Sequence, residues 1–156
     1  MTSTVYFYGG IFSNFYAAKF VDEAGVEYCC TEQYFMAQKA LTFSDETAYH
    51  KIMMATNPGR IKALGREVRN YNEKVWNSKR VSIMHTANYL KFSQNSGLKA
   101  KLLATGDRQL AEASPSDTIW GIGLNEDVAK SGAKWRGSNL LGTVLMRVRQ
   151  ELSEAH

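Results

Sequence analysis

A chain of 156 residues, 44% of them apolar and 12% aromatic, is long enough to bury a core and too apolar to stay disordered. No apolar run approaches the roughly 20 residues of a membrane-spanning helix, and MTSTVYFYGG has neither the basic start nor the cleavage site of a secretory signal. A soluble cytoplasmic protein is expected, or a nuclear one in a eukaryote, with no membrane partner.

Net charge is +4, unevenly spread: residues 47–101 hold 11 basic and 2 acidic side chains, a net +9, against 2 and 6 in residues 1–46 and 6 and 7 in residues 102–156. Such a stretch either draws in polyanions, nucleic acid or a pyrophosphate ligand, or forms a solvated basic face. Cys29 and Cys30 are adjacent and would close a disulfide only with strain, and His50, His85 and His156 lack the spacing of metal ligands. Neither a metal nor another cofactor is expected.

In chain order, VYFY (5–8), NFYAAKFV (14–21) and GVEYCC (25–30) alternate in polarity, with DEAG as a turn between the last two, and predict a strand followed by a β-hairpin. From Thr31, a plausible N-cap, the period becomes helical over TEQYFMAQKAL. Ser44 opens a second helix, and Asn57-Pro58 ends it and caps a third, GRIKALGREV. The longest helical pattern runs over 72–92, and SGLKAKLLATG (96–106) is another, closed by Gly106. After Ser114-Pro115 comes TIWGIGL, read as a strand whose edge aims Asp117 into a cleft, or with Asp117 as a plain turn former. Residues 125–139 read as a long loop, of the length often given to function, and LLGTVLMRVRQEL (140–152) as an amphipathic helix. These elements predict one mainly helical α+β domain over 1–156, with a small N-terminal β-hairpin sheet.

The helix at 31–41 carries two opposite charges on one of its apolar faces. Glu32 and Lys39 lie seven residues apart, about 20° apart around the helix at 100° per residue, with Phe35 and Met36 flanking them. Tyr34, Ala37 and Leu41 form a second apolar stripe, so the helix is expected to pack on both sides. Two readings fit the pair. Glu32 can complement the helix dipole while Lys39 points to solvent, or partial dehydration can push the lysine pKa down and the glutamate pKa up, making a nucleophile and a proton carrier. Trp76, among Lys74, Lys79 and Arg80, is a core tryptophan or a binding surface. Gly121, Gly123, Gly132, Gly137 and Gly142, beside Lys134, Arg136 and Asn139, could let backbone N–H groups approach phosphates, although no dinucleotide or Walker motif is present.

Six segments in order carry a resemblance: FSNF (12–15), TEQYFMAQKAL (31–41), LGR (64–66), VWNSKRVSIMHTANYLKF (75–92), DTIWGIG (117–123) and GSNLLGTVLMRVRQEL (137–152). Together they resemble the NADAR, or YbiA-like, family over nearly the whole chain. The resemblance implies an N-glycosidase with the functional glutamate at Glu32, the helix lysine at Lys39, the tryptophan at Trp76 and the aspartate at Asp117. It implies substrates of two kinds: guanine bearing ADP-ribose in nucleic acid or nucleosides, and ribosylamino-pyrimidine phosphates of riboflavin synthesis. Ser13, Asn14, Gly121, Gly123, Arg136 and Asn139 are the candidates for ribose and diphosphate contacts. The +9 stretch tips the expectation toward ADP-ribosylated guanine in nucleic acid, with Lys39 forming a Schiff base, Glu32 moving protons and Asp117 assisting at the ribose. A binding module that recognises ADP-ribose or nucleic acid without cleaving it is the alternative outside enzymes. Two departures from the family pattern stand out: Gln33 occupies a position commonly held by histidine, and residues 125–134 look longer than in short bacterial members.

Overall fold

A computed structural model describes residues 3–155. In chain order its elements are β1 (Thr4–Phe7), β2 (Phe20–Val21), β3 (Glu27–Tyr28), α1 (Thr31–Thr42), α2 (Glu46–Met54), α3 (Pro58–Arg66), α4 (Glu73–Gln94), α5 (Ser96–Ala104), β4 (Gln109–Glu112), α6 (Glu126–Lys130) and α7 (Leu140–Glu154). The mainly helical α+β class expected from the sequence is what these elements form. The chain folds into two compact units: Asn14–Asn95, and a second unit made of the residues up to Ser13 together with those from Ser96 onward.

In the unit Asn14–Asn95, α1 is the hub, packed against α2, α3 and α4. The hairpin forms as predicted, with Phe20 opposite Tyr28 and Val21 opposite Glu27. Asp22 builds its turn, one carboxylate oxygen accepting from the N–H groups of Ala24 and Val26 and the other from the Tyr28 hydroxyl. Aromatic rings fill the unit's interior in two groups, Phe20, Tyr28 and Tyr34 in one and Phe35, Phe43 and Trp76 in the other.

Several helix starts follow the sequence, and others correct it. Asn57 caps α3 through Arg60 N–H and Asn72 caps α4 through Val75 N–H, as expected. Thr31, by contrast, is already inside α1, and the cap position falls on Cys30, which makes no side-chain capping bond. Asp45 rather than Ser44 caps α2, since Ser44 takes a left-handed turn at φ 56° and hands the position on. Leu41, expected in the second apolar stripe, is 50% exposed; Ala40 takes the buried place beside Tyr34 and Ala37.

In the other unit β1 pairs in parallel with β4, from Thr4 opposite Gln109 to Phe7 opposite Glu112. The strand expected before the hairpin is β1, and its partner β4 comes from far along the sequence. Helix α7 packs on β4 and α5, and Gly106 ends α5 with a left-handed φ of 64°. TIWGIGL is not a strand. Its carbonyls at Thr118, Ile119, Trp120 and Gly121 instead accept the N–H groups of Ser138, Leu140, Leu141 and Asn139, closing the start of α7. The long loop is also more ordered than expected. It contains α6, capped by Asn125 through Val128 N–H, and packs Ala129, Ala133 and Trp135 against Ala111, Ala113, Ile122 and Leu124.

Candidate active site

Glu32 and Lys39 stand on one face of α1, and the packing of that helix decides their chemistry. Glu32 is only 6% exposed. Its backbone N–H donates to the Asn14 carbonyl at 3.1 Å, which fixes the first turn of the helix. Lys39, two turns on, is half-buried, and among the described residues it makes no ion pair. Its ammonium instead lies 4.8 Å from the centre of the Tyr71 ring. Burial lowers the Lys39 pKa, Glu32 pulls it back up, and Arg66 at the end of α3 pushes it down. Glu32 is thus close enough to act on the amine electrostatically. The pair joins a carboxylate in a dry position to an amine more readily deprotonated than a surface lysine.

The neighbours of the pair hold it in place. Asn14 secures the start of α1: its carbonyl oxygen and its side-chain oxygen both accept from the Thr31 hydroxyl, at 3.2 and 2.9 Å. Gln33 accepts from Cys29 N–H at 2.8 Å and donates to the carbonyls of Ile52 and Ala55 at 3.1 Å, joining α1 to the hairpin and to the end of α2. An amide can donate and accept at once, which accounts for glutamine at this position. Trp76 is 5% exposed, tilted against Phe35 at 5.1 Å and Phe43 at 6.4 Å, so its ring fastens α4 to α1 through Phe35, which flanks the charged pair. Gly65 of α3 lets the helices approach, because a Cβ there would strike the Met36 side chain.

The remaining candidates lie in the other unit. Asp117 is half-buried, and its Oδ1 accepts from the N–H groups of Ile119 and Trp120 at 3.0 and 2.8 Å. It is therefore a turn former with one oxygen, and among the described residues its second oxygen accepts no hydrogen bond. Gly121 is required by close packing: a Cβ would come within 2.9 Å of the carbonyl oxygens of Asp117 and Glu112. Gly123 is required by its φ of 73°. Asn139 is buried in a left-handed conformation at φ 53°. Its amide donates to the Leu110 carbonyl at 2.9 Å and accepts from Glu112 N–H at 3.1 Å, so both ends of the side chain hold α7 to β4. Arg136 is exposed. Its backbone N–H donates to the Ile122 carbonyl. Ser13 is buried and donates its N–H to the Gly10 carbonyl. The backbone N–H groups from Arg136 to Leu141 all have carbonyl partners within this unit.

One residue the sequence reading passed over is Lys91 on α4. It is 0% exposed, with its ammonium 5.6 Å from the Tyr16 ring centre and 4.9 Å from that of Phe92. Burial brings its pKa down to about 7, with nearby Cys30 acting in the opposite direction. The Cys30 thiol is itself pushed up to about 12, mainly by burial. The available signal was local: Lys91 sits between Leu90 and Phe92 in YLKF, an apolar setting that the surrounding basic stretch masks. It also removes one charge from the +9 stretch as a surface feature.

A profile of the NADAR domain matches residues 6–153. An N-glycosidase of Acanthamoeba polyphaga mimivirus is 46% identical over 147 residues, covering 90% of this chain and 86% of the viral one. A riboflavin biosynthesis protein of Vibrio vulnificus is 34% identical, covering 99% of this chain and 40% of its own length. Among solved structures, the NMR structure of Escherichia coli YbiA superposes with a TM-score of 0.81 at 31% identity, covering 99% of this chain and 90% of YbiA.

Proposed function

Because the chain belongs to the NADAR domain family and is an N-glycosidase, we propose that it removes ADP-ribose from ADP-ribosylated guanine, with Lys39 as the attacking amine. The observation that carries this reading is the Lys39 amine itself: half-buried, lowered in pKa, without an ion pair among the described residues, and on the face of α1 that holds Glu32.

Cleaving a C–N glycosidic bond builds positive charge on C1 of the sugar and negative charge on the departing base. The free amine of Lys39 attacks C1 as the bond to the base nitrogen breaks, and the Glu32 carboxylate takes the proton that the new C–N bond makes acidic and passes it to the departing base. The ring C–O bond then opens, leaving an imine between Lys39 and the sugar. Water adds to that imine and releases ADP-ribose and the free amine.

The substrate class rests on charge beside α1. Helix α3 packs against α1 and carries the exposed Arg60 and Arg66 and the half-buried Lys62, and Lys51, Arg69, Lys74 and Lys79 are also exposed within this unit. Such a surface suits the diphosphate and the backbone of a nucleic acid more than it suits a small free nucleotide. A second reading, hydrolysis of ribosylamino-pyrimidine phosphates, is favoured by the name of the Vibrio vulnificus relative.

The deciding experiment offers both substrates in parallel, with borohydride present during turnover and peptide mapping afterwards. The expected result is an oligonucleotide with its guanine restored and a reduced sugar adduct on Lys39. An adduct on Lys91 would transfer the nucleophile role to α4, and release of base only from the pyrimidine substrate would favour the second reading. Equal rates on nucleoside and oligonucleotide at every salt concentration would remove the nucleic-acid argument.

A further inference from the structure

A cavity of about 380 Å³ opens in the unit Asn14–Asn95 between the hairpin turn, α1 and α4, lined by Asp22, Glu23, Ala24, Tyr34, Gln38, Thr86 and Leu90. It is separate from the charged face of α1. Tyr34 and Gln38 lie about 100–160° around the helix from Glu32 and Lys39. The volume falls within the range of small-molecule sites.

The polar lining of this cavity is rich in acceptors and carries the carboxylates of Asp22 and Glu23, while the Gln38 amide and the Tyr34 hydroxyl can both donate and accept. Tyr34 is only 9% exposed, its ring packed against Phe20 and Tyr28, yet among the described residues its hydroxyl makes no hydrogen bond. Burial, followed by the nearby carboxylates of Asp22 and Glu23, raises the pKa of that phenol. The Thr86 hydroxyl gives its proton to the Ser82 carbonyl at 3.1 Å and so offers only lone pairs. Asp22 is committed to the turn and to Tyr28, whereas Glu23 is exposed and in no ion pair among the described residues. Lys19, the nearest basic residue in the hairpin, is paired with Glu27 at 3.7 Å. No basic side chain lines the cavity, while Leu90 and Ala24 supply apolar wall.

We propose that this cavity binds a small organic cation, an alkylammonium or guanidinium compound, whose N–H groups bond Glu23, Tyr34 and Thr86 and whose carbon chain lies against Leu90. Three acceptors around an ammonium match its three donors, and the anionic lining supplies the counter-charge. A bare divalent ion fits less well, because only two carboxylates are present, one already accepting three hydrogen bonds, and the wall is partly apolar.

Isothermal titration of the full chain with 1,4-diaminobutane and agmatine, against neutral 1,4-butanediol at matched ionic strength, tests the assignment. The amines bind and the diol does not. Glu23→Gln, on the exposed turn, weakens amine binding at least fivefold. Tyr34→Phe, which keeps the ring and its packing, weakens it severalfold, while Glu27→Gln outside the cavity leaves it within twofold. Equal binding of diol and diamine, unchanged affinity in Glu23→Gln, or full displacement by millimolar magnesium at constant ionic strength would overturn the proposal.

Discussion

In α1 the ionisable groups of interest are positioned by packing, whereas in residues 117–142 the polar groups chiefly position one another. Lys39 has an aromatic ring for a neighbour and no ion pair among the described residues, and Glu32 sits in a dry turn whose backbone is tied to Asn14. Asn139 uses both ends of its amide on β4, Asp117 uses one oxygen on its own turn, and the carbonyls of residues 118–121 close the start of α7. The difference separates reactivity from architecture. A side chain whose hydrogen bonds are all used holds a fold together, while one that is desolvated with bonding capacity to spare is placed for chemistry.

The sharpest test of that contrast is Lys39→Ala. It is expected to lower turnover by roughly a thousandfold or more, as loss of a nucleophile does, while unfolding stability stays within about 1 kcal/mol. Steady-state rates and a denaturation curve on the same preparation check both halves. Asn139→Ala should do the reverse. Two bonds to buried backbone groups are lost and a left-handed residue gains strain, at about 2–4 kcal/mol in urea unfolding, with KM per folded molecule unchanged. A rise in KM without loss of stability would return Asn139 to substrate binding.

Lys91 tests the intermediate case, an amine that is buried and fixed. Its pKa is about 7 in the folded chain against 10.5 for an ordinary lysine, so between those values the unfolded state binds the extra proton and stability rises with pH. Lys91→Met should flatten the stability profile from about pH 7 to 10.5, with its largest gain in stability below pH 7. The smallest expected effect belongs to Arg66→Ala. Arg66 lowers the Lys39 pKa, so its removal raises that pKa and moves the acid limb of the rate profile to higher pH, with little change in the plateau rate.

What could be read from the sequence follows the range of the interactions. The helices α3 and α4 were visible because Asn57 and Asn72 cap them through local bonds, and Glu32 with Lys39 was visible because the helical period puts them on one face. Strand β4 was missed because Gln109–Glu112 is short and carries little alternation, and its partner β1 lies about a hundred residues away in sequence. TIWGIGL looked like a strand from its apolar residues, but its carbonyls turn to α7, a pairing no local pattern encodes. The second apolar stripe of α1 failed at Leu41, on the helix's last turn, where burial ends before the periodicity does.

The start of α7 carries one further consequence. Its first N–H groups are met by main-chain carbonyls, and no side chain supplies a capping bond there. A start built in this way is robust to sequence drift. Changes at Thr118, Ile119 or Ser138 that preserve the backbone leave it standing, and only the positions that shape the path itself, such as Gly121 and Gly137 at their close approaches, are held to one residue type.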